Sequence, residues 1–241
     1  MPPITETLVN WEKSLCPRIE VGGLFARNPI AHKWKATFRS LELRETAFWR
    51  IHDLLTQSYE LHVNGRTLGA RILLRSAIET LATLIYLNQS TAAVMAGNQD
   101  FHTFSNLTAR LLLGSRDKST EYQAVNIVSV LEKCEKRYPG IMGLYAQLSE
   151  SAHPNFEGLC FGYSRIDHDN HVAEYSNNMS TMYADKLEPE IELCMFVFEH
   201  EYNTVWPEQF ELLEAWVTEN DERLEATKGG SSSVYSTSVP T

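Results

Sequence analysis

Apolar residues recur at three- and four-residue steps through most of the chain, which is the spacing that places them on one side of a helix. Segment 39–62 shows this pattern clearly, and segment 69–88 is apolar in nearly every helical direction. Asn64 and Gly65 lie between the two segments, and these residue types favour the left-handed end of a helix. We therefore predict an antiparallel helix hairpin over residues 39–88 at the centre of the fold.

The same spacing predicts helices on both sides of this hairpin. They cover residues 5–15, 88–97, 100–113, 119–138, 140–152, 171–184 and 187–227. Pro207 predicts a break after Trp206, because proline removes a helical hydrogen bond. No segment alternates apolar and polar residues over a useful length, so the predicted fold is an all-α helical bundle.

Three other segments lack a helical pattern. Residues 21–25 contain two glycines and predict a connection, and residues 156–171 are rich in Gly and Asp and predict a long loop. Residues 229–241 are mostly Gly, Ser and Thr, which cannot bury a core. We predict a single all-α domain over residues 1–228, followed by a disordered tail over 229–241.

Charged residues interrupt the apolar segment 69–88. Arg71, Arg75 and Glu79 follow one another at four-residue steps, which places them on one face of a helix. Three charges make insertion into a bilayer costly, so this segment predicts a core helix and no membrane span. Charges in a core helix require partners or a ligand.

Overall charge narrows the function classes. The chain carries 31 acidic and 21 basic residues, a formal net charge of -10, which argues against a broad DNA-binding surface but allows a local basic cleft. Its four cysteines are widely separated, as is typical of reduced thiols, and the N-terminus does not have the pattern of a signal peptide. We expect a cytoplasmic protein.

The first candidate site is Arg27-Asn28-x-x-x-His32. A guanidinium can form two parallel hydrogen bonds to a phosphate, and an imidazole can transfer a proton near neutral pH. Asn28 followed by Pro29 also predicts a capped helix start, with Arg27 outside the helix that carries His32. In the alternative interpretation, the Arg and His are simply exposed residues at this start.

The R-N-x-x-x-H pattern resembles the signature of the HEPN superfamily of small helical-bundle proteins. Many members are metal-independent RNases of toxin–antitoxin and phage-defence systems, with the Arg and His in a cleft that is usually at a dimer interface. The resemblance implies Arg27 as phosphate stabiliser, His32 as general acid or base and Asn28 as a positioning group. It further implies RNA as a partner, a possible homodimer, and neither a metal nor a cofactor.

The second candidate combines the charged helix with residues 149–155. This stretch, with the R-S-A-I-E-T-L run, is similar to bacterial helical proteins of undetermined activity near the same superfamily, over most of residues 27–228. One interpretation gathers the polar side chains into a pocket for an anionic or nucleotide-like ligand. In the other interpretation, Arg75 and Glu79 form a buried ion pair, and His153 and Asn155 cap helix ends. The side chains concerned are Arg71, Arg75, Glu79, His153 and Asn155.

The third candidate is the run Asp167-His168-Asp169-Asn170-His171, whose His and Asp side chains are of metal-binding types. Residues 199–201 could add ligands, but they lack the spacing of a zinc protease. We interpret the run as a solvated acidic loop and predict no metal site.

Two hypotheses for function follow. The first is a HEPN-like metal-independent endoribonuclease, which needs Arg27 and His32 to face one cleft. The second is a non-catalytic helical protein that binds a partner or a small anionic ligand, which needs Arg75, Glu79 and His153 around one cavity.

Overall fold

A computed structural model describes residues 2–228, and the tail predicted over 229–241 lies outside the described residues. The described residues are 75% helical and contain one small two-stranded sheet, so the predicted all-α fold is confirmed. No helix among the described residues is long and apolar enough to cross a membrane.

The central helices are α4 (Lys35–Val63) and α5 (Thr67–Met95). Gly65 between them has φ +69, and the amide of Arg66 donates to the carbonyl of Leu61, as in a left-handed helix end. Ser58 donates to the carbonyl of Ala70, which ties the two antiparallel arms together. The predicted hairpin is therefore present, but α5 continues through residues 88–95, where we predicted a separate helix.

Helices flank this hairpin on both sides in the sequence. They are α1 (Ile4–Ser14), α2 (Val21–Arg27), α3 (Pro29–His32), α6 (Phe101–Leu113), α7 (Ile127–Cys134), α8 (Ile141–Ala152), α9 (Met179–His200) and α10 (Trp206–Thr227). A π-helical turn, Glu201–Val205, separates the last two, and Pro207 lies in the first turn of α10, where its missing amide does no harm. The interruption therefore precedes Trp206, whereas we predicted it after that residue.

The chain forms two compact units. Unit 1 contains the chain up to Cys16, Glu45–Ile85 and Asn126–Glu201, and an aromatic cluster of Trp11, Phe48 and Phe198 lies in its core. Unit 2 contains Pro17–Arg44, Tyr86–Val125 and the described residues from Tyr202. Its aromatic core is built from Trp34, Phe101, Trp216, Trp206 and Phe210. The single domain over residues 1–228 stays a prediction.

Two further predicted segments, 21–25 and 119–138, differ from the structure. Residues 21–25 belong to helix α2, despite their glycines. The helix predicted over 119–138 begins only at Ile127, because Asn126 caps it. The preceding residues pair through backbone hydrogen bonds of Ser115 with Tyr122 and Ala124, which replace helical bonds.

The predicted loop over 156–171 is a π-helical turn, Phe156–Phe161, followed by a β-hairpin. Strands β1 (Ser164–Asp167) and β2 (Val172–Tyr175) pair antiparallel. The Asp167 carboxylate accepts the amides of Asp169 and Asn170, so local side-chain chemistry forms the turn. Helix α9 then begins at Met179 and not at His171, where we predicted it.

Candidate functional site

The R-N-x-x-x-H segment of unit 2 consists of two short helices with a break between them. Arg27 ends α2, and Asn28, with φ -145, starts α3. The Asn28 carboxamide oxygen accepts the amide of Ala31 at 3.0 Å, and Pro29 occupies the first turn. The predicted cap is confirmed, and Arg27 lies outside the helix that carries His32.

Helix α10 nevertheless brings Arg27 and His32 together. The Glu214 Oε1 atom accepts a hydrogen bond from Arg27 Nη2 and lies 2.6 Å from His32 Nε2. The side chain of Arg27 is 57% exposed, whereas that of Glu214 is 10% exposed and that of His32 only 1%. We call these three residues the Arg–His–Glu centre.

Asn28 fixes the segment to the same face of α10. Its Nδ2 donates to Thr218 Oγ1 at 3.1 Å, and that hydroxyl donates to the carbonyl of Glu214 at 2.7 Å. Asn28 therefore contacts the helix one turn beyond the carboxylate. Among the described residues, no hydrogen bond joins the Asn28 side chain to the side chain of Arg27 or His32.

The imidazole of His32 has one engaged nitrogen and one without a partner. It lies between the rings of Phe25 and Phe210, with centroid distances of 6.3 and 6.4 Å. Its Nδ1 atom is buried and has no hydrogen-bond partner among the described residues. In the neutral tautomer that donates Nε2–H to the Glu214 carboxylate, the lone pair lies on Nδ1.

Two more carboxylates follow along α10. Lys33 Nζ lies 2.7 Å from Asp221 and 3.1 Å from Glu225, and Trp34 Nε1 donates to Asp221 at 2.8 Å. The hydrogen bond from Lys33 is the main cause that lowers the pKa of both carboxyls, and the bond to Asp221 raises the pKa of Lys33. This acidic face of α10 thus holds residues 27–34 by polar contacts.

In unit 1, Arg71 is almost fully buried and has many partners. Its Nε donates to Ser151 Oγ at 2.8 Å and its Nη2 donates to the carbonyl of Gln147 at 3.0 Å. Its guanidinium lies 3.8 Å from the ring centre of Tyr183, and Nη1 lies 3.7 Å from Glu190 Oε2. Burial lowers the pKa of Arg71, while the charge of Glu190 opposes that shift.

Arg75 has a second set of partners on the same helix face. Its Nε donates to Ser149 Oγ at 2.9 Å, and its Nη2 donates to the Tyr145 hydroxyl at 2.6 Å. Arg75 and Glu79 form an ion pair at 3.3 Å, but their side chains are 26% and 27% exposed, so the pair is half-buried and not buried as in the second interpretation. Tyr145 also donates to Glu79 at 3.0 Å. The two arginines and their partners form a connected group that we call the polar layer.

Sequence reasoning missed the two carboxylates that complete the polar layer. Ser151 donates to Glu157 at 2.7 Å, and burial raises the pKa of the Glu190 carboxyl. Burial, together with a hydrogen bond to Glu157, raises the pKa of Tyr183 to about 12. These groups come from the π-helical turn and from α9, far from Arg71 in the sequence.

His153 and Asn155 do not join the two arginines through any hydrogen bond of the described residues. His153 is exposed at the end of α8, where its backbone amide donates to the carbonyl of Ser149. The Asn155 oxygen caps the π-helical turn by accepting the amide of Gly158 at 2.9 Å, and its Nδ2 donates to Glu150. His153 and Asn155 therefore lie at helix ends, as in the interpretation that has no ligand pocket.

The acidic run 167–171 forms the tip of the β-hairpin. Among residues 2–228, no group of three or more His, Cys, Asp or Glu side chains could hold a metal ion. Glu199 instead accepts the indole of Trp11, and Glu201 accepts the hydroxyl of Tyr138.

One sequence signal could have identified Glu214. Helix α10 buries a stripe that includes Phe210, Leu213 and Val217, and Glu214 lies one turn after Phe210 on this stripe. An acidic residue within an apolar stripe requires a buried partner. The pattern alone does not name that partner, because His32 is 182 residues away.

The fold and the centre define an all-α protein with a buried His–Glu pair beside a partly exposed arginine. No family model, curated protein or solved structure matches this chain.

Proposed function

We propose that this protein is a HEPN-like, metal-independent endoribonuclease of a toxin or phage-defence system, acting in the cytoplasm. The observation that supports this most is the convergence of Arg27 and His32 on Glu214 Oε1, despite the break at Pro29. A carboxylate, an imidazole with a free nitrogen and an arginine are together suited to phosphodiester chemistry.

In the proposed reaction, His32 Nδ1 takes the proton of an RNA 2′-hydroxyl. The 2′-oxygen attacks the adjacent phosphorus, the bond to the 5′-oxygen breaks, and a proton from solvent or from the imidazolium neutralises the leaving oxygen. Glu214 stabilises the imidazolium through Nε2, and Arg27 stabilises the charge on the phosphate oxygens. The products are a 2′,3′-cyclic phosphate and a 5′-hydroxyl.

Access to His32 requires displacement of α2, because Phe25 of that helix contacts the imidazole. None of the residues of α2 is buried, so few apolar contacts oppose this displacement. We include a homodimer in the proposal, as the resemblance to the HEPN superfamily implies.

The test is cleavage of a fluorescent RNA by purified protein in the presence of a chelator. We expect His32→Ala and Arg27→Ala each to lower the rate by at least about a hundredfold. His102→Ala, which changes a histidine of the same unit outside the centre, should leave the rate unchanged. A substrate with 2′-deoxyribose at the cleavage position should be inert, and thermal unfolding should show that all variants fold.

Three results would contradict the proposal. They are intact RNA with every substrate, retained cleavage by the folded His32→Ala variant, and complete inhibition by the chelator.

The competing proposal is a non-catalytic protein that binds a partner or a small anion through the polar layer. One observation favours it: the side chain of Arg75 in this layer is 26% exposed, so its guanidinium can be reached from solvent. The layer otherwise supplies internal partners for both guanidinium groups, which leaves fewer donors for an anion. If this proposal holds, Arg75→Gln should abolish calorimetric binding of inorganic phosphate, whereas Arg165→Gln on the hairpin should not.

A further inference from the structure

A cavity of about 270 Å³ lies within unit 1, apart from the polar layer and the Arg–His–Glu centre. Its buried walls come from α5, from the start of α8 and from α9. They are formed by Ile78, Leu81, Ile141, Cys194 and Val197. Burial raises the pKa of the Cys194 thiol to about 12, so this wall stays uncharged.

The rim of the cavity differs from its walls. Leu193 borders it and is 53% exposed, and the side chain of Arg137 is 30% exposed. A ligand can therefore enter beside Leu193 and meet a guanidinium at the entrance.

Glu201 holds Arg137 in place at this rim. The carboxylate is completely buried, and its Oε1 accepts Arg137 Nε at 2.9 Å and the Tyr138 hydroxyl at 2.6 Å. It occupies the first position of the π-helical turn Glu201–Val205, and such turns often occur at functional sites. Burial and the bond to Glu201 raise the pKa of Tyr138 to about 12, so its hydroxyl stays a donor.

The volume of the cavity and the charge of Arg137 at its rim determine which ligand fits. At roughly 30 Å³ for each water-sized group, which is one non-hydrogen atom with its hydrogens, the cavity accommodates about nine non-hydrogen atoms. The walls favour an apolar body, and the guanidinium at the rim favours a carboxylate, with which it can form paired hydrogen bonds.

We propose that this cavity binds an apolar monocarboxylate of about nine non-hydrogen atoms, with its chain against the buried walls and its carboxylate on Arg137. The site is independent of the proposed ribonuclease activity, since none of its residues belongs to the Arg–His–Glu centre.

The experiment is calorimetric titration of the full chain with octanoate and, separately, with octanol. We expect octanoate to bind at least about tenfold more tightly than octanol. Leu193→Trp should block the entrance and weaken octanoate binding at least about tenfold, and Leu212→Trp, at a similarly exposed leucine of α10, should not change it. Arg137→Gln should remove the preference for octanoate over octanol.

If Arg137→Gln does not fold, the affinities of the wild type and of Leu193→Trp for octanoate and octanol still test the proposal. Equal affinities for the two ligands, unchanged binding by Leu193→Trp, or no octanoate binding up to about 1 mM would each overturn the proposal.

Discussion

The two groups of charged residues use arginine differently. In the polar layer, each guanidinium donates to two hydroxyl or carbonyl oxygens and has a carboxylate nearby. In the Arg–His–Glu centre, a guanidinium and an imidazole share one carboxylate oxygen. Arg71 is buried and cannot return to water, but Arg27 is more than half exposed. Both centres pair arginine with glutamate, so residue type alone does not separate them.

The difference lies in what each centre leaves unused. The donors of the polar layer are largely occupied, which suits a structural role. In the Arg–His–Glu centre, His32 keeps an unpaired nitrogen and Arg27 keeps access to solvent, which suits chemistry on a substrate. Substitutions at the two centres should therefore change the free energy of unfolding by different amounts.

The largest effect is expected for Arg71→Met. Removal of a buried cation leaves the carboxylates of Glu157 and Glu190 without its charge, at a cost of about 3–5 kcal/mol in the free energy of unfolding. Urea denaturation measures this cost. Arg165→Met on the exposed hairpin is the matched control and should change stability by less than about 0.5 kcal/mol.

The double variant Arg71→Met/Glu190→Gln tests the reason for that loss. It should recover part of the stability, because it removes a charge that Arg71→Met leaves unpaired. A double variant no more stable than Arg71→Met would contradict the role assigned to Glu190.

A smaller loss is expected for Glu214→Gln. A neutral amide can still accept one hydrogen bond and Arg27 can turn to solvent, so the free energy of unfolding should fall by about 1–3 kcal/mol. Glu211→Gln, at an exposed position on the same helix, serves as control in the same denaturation experiment. If Glu214→Gln costs more than Arg71→Met, the distinction between the two centres is wrong.

The smallest expected effect is on the pH dependence of folding stability. Burial raises the pKa of Glu190 above its ordinary value of 4.5, so the folded protein holds this proton where the unfolded chain has lost it. The contribution of Glu190 to stability should therefore decline as pH rises from about 4.5 through the raised pKa, and stay level above it.

Glu190→Gln should remove this part of the pH dependence, whereas Glu192→Gln, two residues away on α9, should retain it. Denaturation midpoints measured across this pH range provide the comparison. A wild-type stability that rises over the same window, with the rise lost in Glu190→Gln, would contradict the assigned direction.

The sequence by itself determined the helices whose ends have local causes. Gly65 ends α4 through its positive φ, Asn28 and Pro29 start α3, and Pro207 fits only the first turn of α10. Repeated apolar spacing then supplied the all-α fold and the central hairpin, because burial of one helix face requires that spacing. The same local logic predicted the Arg75–Glu79 pair.

Only the tertiary structure decided which side chains meet across the chain. Glu214 joins Arg27 and His32 from nearly two hundred residues away, and Glu157 and Glu190 reach Arg71 in the same manner. Spacing along one helix cannot encode such contacts, because they depend on how distant helices pack. The hairpin at 164–175 likewise depends on the turn at Asp167 and on strand pairing, which the apolar pattern did not reveal.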